Sequence, residues 1–390
     1  MAGYKTEAWV LYAGQNVVNV NKLEPAPLRN ELFSFAELGE GEVLAEPIYG
    51  CWEANMSHAL ERRPIDICHY RGEEKTVLGN AGVVRVLKAE PTVRSVKEGD
   101  FCMVFCSGVV DRFGFPEKIL AYDAPGSMGV LAKRMKLREK QLIAIPPNTR
   151  HSLRQWAAFS LRYVTAWANW KRAYGCWSLT ACLEESVPPS VWAWGGGVSL
   201  AELMLAKFFG CDLGMISSQE ERLKTIESNG IKPIDRRQFP DLNFNGEKYA
   251  CDREYRKSYQ QSEDIFLEIV KESTLGQGVS IFIDYIGAPV LRATLKALAR
   301  RGVITTAGWK QGMSISLNRA LECINWHTHV HTHYARYPEG VEAVRFAEET
   351  GWAPVVDDHI YGWDEIPRLA RDFMDGRVGA YYPIFQVNSL

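Results

Sequence analysis

Residues 191–222 read VWAWGGGVSLAELMLAKFFGCDLGMISSQEER, and this stretch decides the fold. A short apolar run enters three glycines, Gly195, Gly196 and Gly197, and a segment with apolar residues at helical spacing follows. A second apolar run, 213–216, then ends in two serines. Strand, glycine turn, helix and strand form the first half of a dinucleotide-binding unit. Glycine lets the backbone approach a pyrophosphate, and the helix N-terminus offers N–H donors to it, which points to a redox enzyme.

The glycine turn departs at two positions from the usual G-x-G-x-x-G pattern. Trp194 stands at the first glycine position and Ser199 at the third. We still predict that Gly195, Gly196, Gly197 and Ser199 bind the pyrophosphate of a dinucleotide, because the strand–turn–helix context is right. The alternative is a structural unit that binds no nucleotide.

The composition is typical of a soluble globular protein with room for two domains. The 390 residues carry a formal net charge of −2, which gives no reason to expect nucleic acid or an anionic membrane as a partner. No apolar stretch reaches transmembrane length, and the N-terminus lacks the layout of a signal peptide. Nine scattered cysteines suit free thiols in a reducing compartment, so we expect a cytoplasmic protein.

The pattern of short apolar runs divides the chain into two domains. Residues 1–155 carry short strands between glycine, proline and charged turns, and the last segment, 340–390, is expected to return to this β-rich domain. Over 156–339 strands and helices alternate, which predicts an α/β fold with a doubly wound parallel sheet. A polar, tyrosine-rich insertion interrupts this second domain at about 235–262. A helix is predicted to begin after it, at Asp264.

The order of these regions resembles the medium-chain dehydrogenase/reductase superfamily over nearly the whole chain. A β-rich region that includes VKEGD is followed by the nucleotide-binding unit and by the closing run WDEIPRLARDFMDGRVGAYY. Four patches narrow the resemblance to the enoyl-thioester reductases, nearest crotonyl-CoA reductase/carboxylase. They are GNAGVV at 79–84, AYDAPGSMG at 121–129, TAW at 165–167 and HTHYAR at 331–336.

The resemblance implies a Rossmann domain and a GroES-like β-rich domain in a homodimeric enzyme. Its substrate would be an α,β-unsaturated acyl thioester, on CoA or a carrier protein, whose double bond is reduced. The resemblance places His333, Asp123 and Asn80 in the catalytic pocket and Thr165 beside the nicotinamide. His333 would position a proton or CO2 at the α carbon, because imidazole titrates near neutrality, or it could be a core or interface histidine. Asp123 could equally cap the turn before Pro125.

Carboxylating enzymes of this branch have an asparagine just after a tyrosine early in the chain. Here Tyr49 is followed by Gly50. One amide that would hold CO2 is therefore missing, and the resemblance favours simple reduction over reductive carboxylation.

The end of the second strand indicates NADPH as the cofactor. NAD enzymes place Asp or Glu there, to accept hydrogen bonds from both ribose hydroxyls. This chain has Ser217 and Ser218 at that place, with Arg222 one helical turn beyond. No carboxylate repels a 2′-phosphate there, and serine and arginine can bind one through charge-assisted hydrogen bonds. The alternative is that Glu220 or Glu221 reaches back to the ribose.

The sequence predicts no metal site. The zinc alcohol dehydrogenases of the superfamily bind zinc through Cys, His and a second Cys or Asp. Cys51 stands at the first ligand position, Asn80 replaces the histidine, and 162–167 contains no Cys or Asp. The run HTHVHTH at 327–333 would place four histidines on one face of a strand. A four-histidine metal site is the alternative to a role for His333 alone.

Two other functions would use the same fold. A zinc-free NADPH oxidoreductase of quinones or other enones, or an alcohol dehydrogenase-like enzyme, would differ only in its substrate cleft. A non-catalytic binding scaffold is the third hypothesis, because Trp194 and Ser199 replace two glycines. Titration with NADPH and NADH separates the enzymes from the scaffold.

Overall fold

The computed structural model describes residues 3–14, 25–179, 181, 188–307, 320, 324, 327–331 and 335–390. These residues belong to two compact units. The first unit comprises Met1–Val164 and Tyr334–Leu390, and the second comprises Thr165–His333.

The described chain contains strands in both units and helices in both units. The strands are β1 (Tyr4–Tyr12), β2 (Arg29–Phe35), β3 (Glu42–Cys51), β4 (Lys75–Val77), β5 (Gly82–Ala89), β6 (Phe101–Val104), β7 (Ser107–Val110), β8 (Pro116–Ile119), β9 (Met135–Arg138), β10 (Leu142–Ala144), β11 (Ser190–Trp194), β12 (Asp212–Ser217), β13 (Lys232–Asp235), β14 (Val279–Asp284), β15 (Leu298–Thr306), β16 (Thr328–His331), β17 (Ile360–Tyr361) and β18 (Ile384–Gln386). The helices are α1 (Ala54–Glu61), α2 (Ile67–Arg71), α3 (Leu153–Ser178), α4 (Gly197–Ala206), α5 (Glu220–Ser228), α6 (Gly246–Cys251), α7 (Arg253–Ser273), α8 (Ala288–Ala297), α9 (Tyr337–Thr350) and α10 (Ile366–Met374).

The first unit is built mainly from antiparallel strands. Its largest sheet has the order β10-β6-β5-β3-β18-β17, and β9 also pairs with β3. The C-terminal strand β18 lies antiparallel to β3, with Ile384 opposite Cys51 and Phe385 opposite Gly50. Gly50 is required here, because a Cβ atom on it would lie 2.2 Å from the Phe385 ring. A small sheet, β2-β1-β4, and a hairpin, β7-β8, complete the strands of this unit.

The second unit is a parallel sheet with the strand order β13-β12-β11-β14-β15-β16. Numbered within the unit, this is the order 3-2-1-4-5-6 of dinucleotide-binding folds, whose ligands bind where the order reverses, here between β11 and β14. Trp192, Phe282 and Ile304 are register partners on adjacent strands and form part of one buried apolar cluster, to which α7 and α8 also contribute. The predicted fold class, an α/β protein with a doubly wound parallel sheet and a separate β-rich part, is confirmed.

The tyrosine-rich stretch predicted as an insertion contains helix α6 and the start of α7, so the predicted helix start at Asp264 is wrong. Helix α7 begins at Arg253, because the Asp252 side chain caps it by accepting hydrogen bonds from the N–H groups of residues 254 and 255. Tyr259 and Phe266 on α7 are fully buried at helical spacing. The tyrosine ring therefore extends the apolar face of this helix by two turns towards its N-terminus. Within the described residues, no helix is both long and apolar enough to cross a membrane.

Candidate functional site

The glycine turn of the second unit has the shape that a pyrophosphate needs. Gly195 has φ +131°, and a Cβ atom on it would lie 2.4 Å from the Ser199 Oγ, so only glycine fits there. Gly196 is the N-cap of α4, and a Cβ atom on it would meet nothing within 4 Å. The backbone is therefore open to a ligand just where the helix begins at Gly197, and the dipole of α4 favours an anion at this end.

The two residues that replace glycines are buried, and both form hydrogen bonds within the second unit. The Ser199 hydroxyl is buried and donates a hydrogen bond of 2.8 Å to the carbonyl of Trp194, which ties the helix to the end of the strand. The Trp194 indole lies in the apolar core and donates to the Thr294 hydroxyl at 2.9 Å. The hydroxyl in turn donates to Asp284, whose other oxygen accepts from the N–H groups of Ile286 and Gly287. Trp194 is therefore compatible with the turn because its side chain points away from it.

The residues predicted to select NADPH lie at the end of the neighbouring strand. Ser217 is half-buried, and its hydroxyl accepts from the N–H of Gln219 at 3.3 Å. Ser218 is exposed, and Arg222 is half-buried in the first turn of the following helix. The Glu220 carboxylate forms an ion pair with Arg237 at 2.9 Å. This pairing directs Glu220 towards the third strand of the unit. In the alternative hypothesis for the cofactor, Glu220 would instead reach back to the ribose.

Two arginines that sequence reasoning missed add positive charge near the same edge. Arg236 and Arg237 directly follow β13, and Arg237 binds Asp235 as well as Glu220. Arg236 lies 5.7 Å over the Trp194 ring, and burial lowers its pKa. The sequence could have indicated these two arginines, because they follow the third strand of a nucleotide-binding unit, and ligands approach such units at the carboxyl ends of the strands.

A buried polar network lies beneath the glycine turn. Glu202 of α4 is fully buried and accepts a hydrogen bond of 2.5 Å from the Tyr285 hydroxyl, which itself accepts from the Asn169 amide. Burial raises the pKa of Glu202 to about 8. The sequence carries a faint signal of this network, a single carboxylate in the otherwise apolar helix LAELMLA.

In the first unit, the Arg162 guanidinium lies beside Cys51, the residue at the first zinc-ligand position of the dehydrogenases that the chain resembles. Arg162 Nη1 donates to the Cys51 Sγ at 2.6 Å and lies 3.0 Å from the Glu53 carboxylate. Its Nη2 donates to the carbonyl of Trp52 at 2.7 Å, and all these side chains are buried. Burial raises the pKa of Cys51 to about 12 and that of Glu53 to about 7, although the guanidinium opposes both shifts. Among the described residues, no three Cys, His, Asp or Glu side chains are placed to hold a metal ion.

Asn80 is buried in the turn between β4 and β5, next to Ala81, whose carbonyl accepts a hydrogen bond from the N–H of Cys51 at 3.2 Å. Only 2% of its surface is exposed. Its Oδ1 accepts a hydrogen bond of 3.1 Å from the Asn55 side chain, while its Nδ2 has no partner. A buried amide donor without a partner is rare in folded proteins, and its N–H group can donate to a ligand or water oxygen.

The other predicted site residues are less informative. Asp123 is half-buried, and its carboxylate accepts from the backbone N–H of Ile119 at 2.5 Å, as expected of a residue that caps a turn. Thr165 is half-buried in α3. His333 lies outside the described residues; of the histidine run at 327–333, His327 is half-buried and 328–331 form β16.

No known protein-family profile matches the chain. No curated protein matches it in sequence. Solved structures match it in fold. The crotonyl-CoA carboxylase/reductase AntE in complex with NADP matches with a TM-score of 0.79 and 19% identity, over 99% of this chain and 95% of that chain.

Two further structures extend the comparison. The 2-octenoyl-CoA carboxylase reductase CinF, in complex with NADP and 2-octenoyl-CoA, has a TM-score of 0.78 and 18% identity over 98% of this chain and 87% of that chain. A putative alcohol dehydrogenase from Sinorhizobium meliloti has a TM-score of 0.73 and 18% identity over 99% of this chain and 100% of that chain. The chain has the fold of these proteins. The predicted resemblance to the enoyl-thioester reductases and their superfamily is thus confirmed at the level of fold.

Replacing Arg162 by methionine leaves the Glu53 carboxylate buried without its cation. We expect R162M to lower the free energy of unfolding by about 3–5 kcal/mol, the usual effect of breaking a buried ion pair. Urea unfolding followed by circular dichroism, at a pH above the raised pKa of Glu53, measures this loss. The double variant R162M/E53Q also removes the unpaired charge, so it should recover part of the lost free energy of unfolding. The exposed Arg134→Met serves as the neutral control. Equal stability of R162M and R134M would contradict the role of the ion pair.

Replacing Glu202 by glutamine should make stability less dependent on pH. The unfolded chain releases this proton near the ordinary glutamate pKa of 4.5, while burial raises the pKa in the folded protein to about 8. The wild type therefore loses stability as pH rises through this window, and E202Q, which cannot ionise, does not. We expect E202Q to gain up to about 5 kcal/mol relative to wild type across the window, as measured by urea unfolding at several pH values. The exposed Glu268→Gln is the control, and a parallel pH profile for E202Q and wild type would refute the assignment.

Proposed function

We propose that this protein is an NADPH-dependent reductase of the double bond of an α,β-unsaturated acyl thioester. The observation that carries the proposal is the carboxyl edge of the parallel sheet. There a glycine turn opens onto a helix N-terminus, and the neighbouring strand ends in hydroxyl groups instead of a carboxylate. The fold likeness to AntE with NADP and to CinF with NADP and 2-octenoyl-CoA supports the same function.

The residues of the second unit fit the cofactor. The backbone of Gly195–Gly197 would hold the pyrophosphate against the start of α4, with the turn kept in shape by the Ser199 hydroxyl. Ser217, Ser218 and Arg222 would hold the 2′-phosphate through charge-assisted hydrogen bonds. Thr165 would lie beside the nicotinamide, as the resemblance implies.

The chemistry divides between the cofactor and the chain. NADPH, when bound, supplies the hydride that the β carbon of the substrate accepts. Polar side chains of the protein would hold the negative charge that then develops on the carbonyl oxygen, and the α carbon would receive a proton. We propose Asn80 as the donor to that oxygen and His333 as the residue that manages the proton. Asp123, whose carboxylate holds its own turn, would shape the pocket wall.

Simple reduction is favoured over reductive carboxylation by the packing around Gly50. In the carboxylating enzymes that the chain resembles, an asparagine occupies this position. Here the Phe385 ring fills the space beside Gly50, with three ring atoms between 2.2 and 2.9 Å from the position of a Cβ atom. An asparagine side chain cannot enter unless the Phe385 ring moves aside. The homodimer and the cytoplasmic location that the sequence suggests stay predictions.

An assay of NADPH consumption tests the proposed reaction. We expect the wild-type protein to consume NADPH with crotonyl-CoA or a longer 2-enoyl-CoA, at a rate that does not change when bicarbonate is added. The reason is the missing amide at position 50. Faster turnover of quinones than of any thioester would favour the reductase of quinones and other enones instead. Absence of both binding and turnover of NADPH would favour the non-catalytic binding scaffold.

Placing a carboxylate at the end of β12 should shift the cofactor preference. We expect S217D to weaken NADPH binding about 10–100-fold and to leave NADH binding unchanged or tighter, because aspartate repels the 2′-phosphate and accepts from the ribose hydroxyls. Isothermal titration measures both affinities. The exposed Ser228→Asp, at the far end of α5, adds the same charge away from the edge and should leave both unchanged. If S217D and S228D bind NADPH equally well, Ser217 does not face the phosphate.

A further inference from the structure

The second and third strands of the parallel sheet end side by side at its carboxyl edge. Ser217 of β12 and Asp235 of β13 are register partners. Paired residues on neighbouring strands project from the same face of a sheet, and the strands lie about 4.8 Å apart. The Asp235 carboxylate is therefore the neighbour of Ser217, the residue proposed to face the 2′-phosphate of NADPH.

One guanidinium joins this carboxylate to a second one, that of Glu220 at the start of α5. Arg237 Nη2 lies 2.7 Å from Asp235 Oδ2 and 2.9 Å from Glu220 Oε2. Its Nε donates to both Asp235 oxygens, at 2.8 and 2.9 Å, which fixes the direction of the guanidinium. We call Asp235, Glu220 and Arg237 the edge ion cluster.

Stability does not explain the edge ion cluster. The side chains of Arg237 and Glu220 are 54% and 59% exposed, and ion pairs at such positions contribute at most about 1 kcal/mol to stability. The hydrogen bonds from Arg237 lower the pKa of Asp235, so this carboxylate stays charged. The effect of the cluster is therefore on the local charge at the edge where ligands of such sheets bind.

The preceding arginine takes no part in this neutralisation. The Arg236 guanidinium lies 5.7 Å over the Trp194 ring and donates to the carbonyl of Leu242 at 3.2 Å, so it is turned towards the core of the unit. Arg237 is thus the residue of the pair that faces the two carboxylates.

Two carboxylates at this edge work against the cofactor that the end of β12 favours. A phosphate monoester carries a charge of about −1.5 to −2 at neutral pH. Enzymes that select NAD place a carboxylate close to the 2′ position of the ribose, where it repels such a group. Arg237 offsets one of the two negative charges and occupies oxygens of both carboxylates with its own N–H groups.

We propose that Arg237 is a specificity-determining residue for the cofactor, because it neutralises and holds Asp235 and Glu220 so that a 2′-phosphate can bind beside Ser217. Without the guanidinium, the two carboxylates would repel the phosphate and would be free to accept hydrogen bonds from the ribose hydroxyls. This inference rests on the cofactor of the proposed function. It adds a residue of the third strand to a preference that the sequence placed on the second strand alone.

Two fragments of the cofactor test the inference. Adenosine 2′,5′-bisphosphate and adenosine 5′-monophosphate differ by the 2′-phosphate alone, and both lack the nicotinamide half. Isothermal titration of the whole protein should show that the wild type binds the bisphosphate more tightly. We expect R237M to weaken binding of the bisphosphate about tenfold, because a positive charge near the phosphate is lost. Binding of the monophosphate should stay within about twofold or become tighter.

Removing the carboxylates as well should restore the binding. The triple variant R237M/D235N/E220Q lacks the two negative charges that Arg237 neutralises, and an asparagine at position 235 keeps an oxygen that accepts from the N–H of residue 237. We expect its affinity for the bisphosphate to return to within about threefold of the wild type, since Arg237 acts through these two residues.

A matched arginine of the first unit is the control. Arg377 joins Asp372 and Asp375, each at 2.7 Å, and its side chain is 59% exposed. R377M therefore removes an exposed guanidinium from the same kind of cluster, and it should bind both fragments as the wild type does. Circular dichroism verifies that each variant is folded.

The outcomes separate the inference from the proposed function. If the wild type prefers the bisphosphate and R237M keeps the same ratio of the two affinities, Arg237 has no role in specificity and the cofactor proposal stands. A loss in R237M that the triple variant does not recover means that the guanidinium contacts the phosphate itself, which overturns the neutralising role. A wild type that binds both fragments equally, or neither, overturns the proposed preference for NADPH and this inference with it.

Discussion

The reversal of the chain at Gly195 is the constraint on which the second unit depends. A parallel sheet offers a ligand site only where its first strand ends and the next helix starts close beneath the ligand. The positive φ of Gly195 makes this reversal, and the Ser199 hydroxyl holds it by bonding the carbonyl of Trp194. The serine does by a hydrogen bond what the usual glycine does by its small size. The departure from the common motif therefore changes the means of closing the turn and keeps its shape.

Each unit also keeps ionisable groups in its interior. Arg162 joins a thiol, a carboxylate and a carbonyl in the first unit, and Glu202 is bonded by Tyr285 in the second. Such groups lose hydration on folding and recover only part of it from their partners, so they contribute little or nothing to net stability. Their effect is on geometry, because each fixes side chains that would otherwise be free to repack. The guanidinium holds together the strand end at Cys51 and the loop that follows it.

The sequence allowed the two strands that flank the glycine turn and its helix to be predicted. The apolar runs at 191–194 and 213–216 correspond to β11 and β12, because a buried parallel strand reads as a continuous apolar run between turn residues. The start of α7 was wrong, since tyrosines counted as polar are buried there by their rings. The Arg162–Glu53 pair and the Asn55–Asn80 pair could not be predicted, because each joins residues from different elements that only the tertiary fold brings together.

The pairing of β18 with β3 has a consequence for synthesis. The first unit takes its opening strands from the N-terminal part of the chain and one inner strand, β18, from residues that are made after the second unit. The second unit, in contrast, is one continuous segment. On the ribosome the middle of the chain can therefore fold while the start of the chain still has an unpaired strand edge. The unpaired edge of β3 must be kept from other partners until β18, which contains Phe385, has been made. The second unit can therefore complete its fold before the first, although the first unit begins earlier in the sequence.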